Sequence, residues 1–238
     1  MVPIFLAARG LSHLSSAREK RTRSWLEAEI PTPSGGRPLE PFLRATPVVD
    51  WEDPDVQALA RELSRGRGQR DVARACFEWV RYQVPHTVDH GLEPVTCSAS
   101  EVLRARTGFC YAKSHLLAAL LRANGISTGF VYQRLALDAE GRAFCLHGLN
   151  AVWLPDLGWY RIDSRGNRPD LRAGFDPPRE MLPYASTRPG ERLFAGIWAD
   201  PVPLVVDALR RYRTRAELEA NLPDSPDLDE TGKATVKT

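Results

Sequence analysis

At Asn124-Gly125 the apolar pattern of the chain changes period, and that change narrows the possible folds sharply. Upstream, apolar residues recur at helical spacing. Val56, Leu59, Ala60 and Leu63 form one stripe behind Asp53-Pro54, an N-cap followed by proline at the first helical position. Val72, Cys76, Trp79 and Val80 form a second, which Pro85 stops. Ser98 and Glu101 make a capping-box pattern for a short third helix. A fourth follows Thr107-Gly108-Phe109-Cys110, carries Leu116, Leu117, Leu120 and Leu121, and ends at Asn124-Gly125 as an αL cap does. Downstream, Phe130–Tyr132, Leu146–Trp153 and Trp159–Asp163 read as strands. The turn Pro155-Asp156-Leu157-Gly158 predicts that the last two pair as an antiparallel hairpin. Two closing helices are expected, opened by Asp200-Pro201 and by Thr214 with Glu217. Helices packed on an antiparallel sheet give an α+β fold.

The 238 residues suit one domain. Residues 1–50 read as a peripheral segment, with linker composition at Pro31–Gly36; 51–224 as the folded domain; 225–238 as a disordered polar tail. Lys and Arg number 32 against 30 Asp and Glu, and the two signs interleave, so nothing electrostatic points to nucleic acid. No apolar run approaches the ~18 residues of a transmembrane helix. Pro3–Ala8 is too short for a signal-peptide core and has no basic segment before it, so a cytoplasmic location with reduced thiols is expected. Cys76, Cys97, Cys110 and Cys145 form no C-x-x-C pair, which argues against a structural zinc site.

Cys110 stands apart from the other three. It lies at the first turn of the apolar helix, where unpaired N–H groups and the helix dipole favour a thiolate and could stabilise an oxyanion. His147 lies in a strand, and Asp163 ends the next one. A nucleophile, a base and a residue that orients the base are thereby present. With Pro155-Asp156-Leu157 as a three-residue loop, Leu149 faces Asp163 across the hairpin and His147 is its diagonal neighbour on the same face. A slip of one residue would separate them. Cys76 reads as core filler, Cys97 as a loop thiol, Cys145 as packing near the cleft, and His115 as turned away from Cys110. His86 and His90 flank Asp89 without a convincing metal spacing.

Gly108-Phe109-Cys110 with the following Leu-Leu-Ala-Ala-Leu-Leu-Arg-Ala-Asn-Gly-Ile resembles the first motif of the transglutaminase-like superfamily. His147 matches the histidine of its second motif, and Gly158-Trp159 through Asp163 its third; the resemblance spans roughly Trp51 to Gly166. It implies a papain-like core, a triad of Cys110, His147 and Asp163, and acyl transfer through a thioester, with no cofactor or metal. The substrate it implies is a peptide, a protein or a small amide. Hydrolysis of a peptide or isopeptide is preferred, with transamidation as the other outcome. Two departures are visible: Gly148-Leu149 replaces the usual Ala-Trp after the histidine, and Ser164-Arg165-Gly166-Asn167 the usual small residue or proline after the aspartate. Gln83 and Tyr82 are the candidates for a second oxyanion donor. A non-catalytic interaction domain of the same fold is the alternative. An arylamine acetyltransferase is disfavoured, because Arg106-Thr107-Gly108-Phe109-Cys110 lacks that family's glycine pair.

Overall fold

The computed structural model describes residues 39–166, 168, 171–229 and 231–233. The expectations for residues 1–38 lie outside this range, as do Asn167 and the last five residues. Five helices come first: α1 (Pro54–Ser64), α2 (Gln69–Gln83), α3 (Thr87–His90), α4 (Ala99–Ala105) and α5 (Cys110–Ala123). Strands β1 (Thr128–Ala136), β2 (Phe144–Leu154) and β3 (Gly158–Ile162) follow, then the short β4 (Gly174–Asp176), β5 (Arg179–Met181) and β6 (Arg192–Leu193). Helices α6 (Pro203–Arg211) and α7 (Arg215–Ala220) close the order. The main sheet is antiparallel with strand order β3-β2-β1-β6. The α+β architecture, helices packed on an antiparallel sheet, is the expected one.

Local chemistry accounts for most helix boundaries. The Asp53 carboxylate accepts from the N–H groups of Asp55 and Val56, with Pro54 at the first position of α1. Ser98–Glu101 and Thr214–Glu217 both form complete capping boxes. Gly125 adopts φ +70°, the left-handed geometry that ends α5. The start of α6 differs from expectation: Val202 is its N-cap and Pro203 its first residue, two positions after Pro201.

The helix α5 is the centre of the molecule, with every residue from Cys110 to Arg122 buried. It packs against α1, α2 and α4 on one side and against the sheet on the other. A helix apolar around most of its circumference can only sit between layers. Its one lysine, Lys113, is fully buried and donates to Val80 O (3.1 Å) and to Val84 O, so it caps the C-terminal end of α2. Burial pushes the Lys113 ammonium down to about 7. A second apolar cluster on the far side of the sheet joins Phe42, Val131, Leu149, Ala151 and Trp159. Phe42 belongs to the segment expected to be peripheral, yet it is buried, with its ring edge-on to Trp159 at 4.7 Å. Residues 225–229, part of the expected disordered tail, run instead along the body: Trp198 Nε1 donates to Asp229 O at 3.1 Å, and Ser225 is buried. No helix among the described residues is long and apolar enough to cross a membrane.

Candidate active site

The hairpin β2–β3 has the anticipated register. Asn150 pairs with Ile162 and Leu154 with Gly158, leaving Pro155–Leu157 as the loop. Gly158 makes the turn possible with φ +87°. Extending the ladder by one pair puts Leu149 opposite Asp163, so His147 and Asp163 are diagonal neighbours on one face. Their side chains meet: His147 Nε2 lies 2.6 Å from Asp163 Oδ2. The other carboxylate oxygen accepts the Arg165 N–H at 2.8 Å, so both oxygens of the buried group are satisfied.

Cys110 is the first residue of α5, and the helix start is held against β2 by two features. The Tyr111 hydroxyl donates to Leu146 O. Gly148 lets the strand approach: a Cβ there would stand 3.0 Å from Tyr111 Cδ1 and 3.3 Å from Tyr111 Cα. This contact gives the Gly148 departure a physical reason. The Cys110 and His147 side chains line one cavity, and the Cys110 sulfur adds to the charges that hold the imidazole protonated. Cys110 is 8% exposed, His147 3% and Asp163 1%, so the group sits under cover rather than at an open surface. Tyr184 stacks edge-on over the imidazole, centroids 4.9 Å apart, and shields it further.

Electrostatics favour an ion pair here. Burial alone would discharge His147, but the Asp163 carboxylate and the Cys110 sulfur outweigh it and raise the imidazole to about 10. Asp163 goes the other way: burial favours its neutral acid, and His147, with help from Arg165, holds it below the usual carboxylate value. The other three thiols are pushed up by burial, Cys76 to about 12 and Cys97 to about 11, with Cys145 higher still.

A second histidine also reaches Cys110. The Cys110 N–H donates to His86 Nε2 at 3.2 Å, so the neutral ring carries its proton on Nδ1, 4.0 Å from Asp89 Oδ2. Burial first, then the Arg165 and Lys113 cations, holds His86 well below its ordinary value. Asp89 is clamped by the Arg165 guanidinium through two bonds of 2.7 and 2.8 Å, and Arg165 is itself buried. A cavity of about 30 Å³, room for a water molecule or two, lies among His86, Cys110, Cys145, His147, Arg165 and Leu222.

Cys110, His147 and Asp163 are thus brought together, and Cys145 lines the same cavity. Tyr82 is 62% exposed and Gln83 is also on the surface, so neither reaches the Cys110 amide; the side chain found there is His86. His115 binds Cys97 O and packs on Phe130, away from the site. His86, Asp89, Arg165 and Tyr184 were not singled out as functional from sequence. Only the Ser164-Arg165 departure hinted at one of them.

The chain matches the Transglutaminase-like superfamily over residues 57–164, an interval that contains all three residues. No curated protein matches it. Among solved structures it is similar to a candidate cysteine protease from Cytophaga hutchinsonii, at 20% identity over 56% of this chain and 43% of that one, with a TM-score of 0.44. It is similar also to the periplasmic domain of TgpA from Pseudomonas aeruginosa, at 23% identity over 52% and 45%, with a TM-score of 0.40. The chain spans less than half the length of either structure. The stretch of the chain that is similar to the transglutaminase-like superfamily is thus residues 57–164.

Proposed function

We propose that this protein is a cysteine enzyme that cleaves amide bonds of peptides or isopeptides through a thioester on Cys110. The observation that carries the reading is that Cys110 and His147 line one cavity, with the 2.6 Å His147–Asp163 bond orienting the imidazole. The Cys110 thiolate attacks the carbonyl carbon, and the carbonyl electron pair moves to oxygen. The Cys110 N–H, at the start of α5, is the donor nearest that oxygen; in the resting protein it is held by His86 Nε2 at 3.2 Å and must turn from it to serve the oxyanion. The tetrahedral adduct collapses, the C–N bond breaks, and His147 protonates the departing amine. A water then gives its proton to His147, attacks the thioester and releases the acid. An amine in place of water gives transamidation. The four cysteines are free thiols, which accords with the cytoplasmic setting we adopt for the enzyme. A non-catalytic interaction domain would have no need of a buried ionic relay behind a thiol.

The test is a screen of peptide and glutamine-amide substrates with Cys110→Ala as control, read by intact mass. The reading expects product, and on quenching an acyl adduct on Cys110, in the parent only. Turnover that survives Cys110→Ala would falsify it.

A further inference from the structure

We infer that the cleft above Cys110 takes an extended peptide by strand addition to β2, and that the chain's own Leu222–Asp224 fills this place in the resting protein. The inference rests on the peptide-acting reading above and adds how the peptide is held and what must leave first. The strand β3 pairs with β2 only from Asn150 to Leu154, so the stretch of β2 carrying His147 has one edge without a neighbouring strand. An open edge of this kind presents backbone groups to any extended segment that passes. Here the Leu146 N–H is taken by Pro223 O at 2.7 Å, one residue from His147. The preceding side chain, Leu222, reaches the wall of the cavity shared by Cys110 and His147. The following one, Asp224, is gripped by Arg134 of β1 through Nε and Nη2, both 2.7 Å from its carboxylate.

A backbone hydrogen bond to the open edge of β2, an apolar side chain beside the thiol and a carboxylate on a forked guanidinium are three marks of a bound peptide. All three belong to consecutive residues. The segment also bridges the two halves of the molecule. Upstream, the Arg215 N–H is held by the Glu93 carboxylate on the helical side; downstream, Arg192 Nη1 donates to Pro226 O at 2.9 Å on the sheet side. Between these anchors the strap crosses the cleft, and Leu222 takes the wall beside Cys110 where a substrate side chain would lie. Substrate entry therefore requires Leu222–Asp224 to lift. The substrate this place suits is an extended segment with a leucine-like side chain followed two residues later by an acid.

The test uses a fluorescent peptide with the sequence of residues 220–225, Ala-Asn-Leu-Pro-Asp-Ser, titrated by anisotropy against the full chain. Cys110→Ala is the parent, so that no turnover intervenes. Asp224→Asn frees the carboxylate latch, and Leu222→Gly independently empties the apolar place. Each should bind the peptide about tenfold more tightly than the parent, since apparent affinity rises with the open fraction. A peptide with asparagine for its aspartate should bind the Asp224→Asn chain more weakly. Equal binding by all three chains, or none by any, overturns the strap. Iodoacetamide labelling of the unsubstituted chain reads the enzyme assignment separately. A reactive Cys110 without the gain in peptide binding sinks the strap alone; the gain with an inert Cys110 upholds the strap and sinks the enzyme.

Discussion

His147 carries opposing demands at the scale of single residues. Burial discharges an imidazole, while Asp163 and the Cys110 sulfur keep it charged to about pH 10. The folded value lies above the unfolded one of 6.5. The stabilisation from this group is therefore complete below pH 6.5 and lost as pH rises towards 10. Lys113 acts in the opposite sense: its folded value of about 7 lies below the ordinary 10.5, so its contribution grows over the same alkaline range. Melting curves of the parent minus those of His147→Gln isolate the first effect. The difference should be flat below pH 6.5 and shrink between 6.5 and 10; a difference that grows there contradicts the ion pair. His86 gives a second test at this scale. Its ring accepts the Cys110 N–H and does not reach the thiol's proton. His86→Ala should release that N–H and so leave kcat within about tenfold of the parent, with the alkylation rate of Cys110 changed by less than about twofold. Larger, equal losses in both would make His86 a packing residue.

Among the elements, the junction of α5 with β2 sets the position of the nucleophile. Gly148→Val places branched carbons where Tyr111 already stands, and should cost about 1–3 kcal/mol in denaturant unfolding, with slower Cys110 alkylation. A variant as stable and reactive as the parent would mean the contact positions nothing. The tie between α3 and the segment after β3 is ionic. Asp89→Ala removes the two-bond clamp on the buried Arg165 guanidinium, and about 1.5–3 kcal/mol of stability should be lost on unfolding, with Asp89→Asn losing less. Much of this level was legible in advance. The caps of α1, α4 and α7 are written in adjacent residues, and a three-residue loop fixes the register that joins His147 to Asp163. The strands β4, β5 and β6 were not, because two or three residues carry no alternation to read. His86 escaped for another reason. It reaches Cys110 through an isolated bridge to Gly108, with Thr87 N–H donating to Gly108 O at 3.1 Å, a contact made by folding and not by spacing.

Over the whole molecule, a helical layer supplies the thiol, a sheet supplies base and carboxylate, and a C-terminal strap spans the seam. The near balance of 32 cations and 30 anions leaves no large field to steer a charged polymer, and the proposed chemistry rests on one local pair, His147 and Asp163. The segment just after the strap, residues 225–229, was the least legible part, since a polar sequence rich in Pro, Asp and Ser reads as a tail until Arg192 and Trp198 are found to receive it. The central claim is that His147, oriented by Asp163, makes Cys110 the reactive thiol of this chain. Iodoacetamide labelling followed by peptide mass spectrometry, across pH 6 to 9 in parent and His147→Ala, tests it most directly. Cys110 should label at pH 6.5 at least about tenfold faster than Cys76, Cys97 or Cys145, whose thiols burial pushes up, and His147→Ala should erase that lead. A Cys110 that labels no faster than Cys97, or equally fast without His147, would contradict the account.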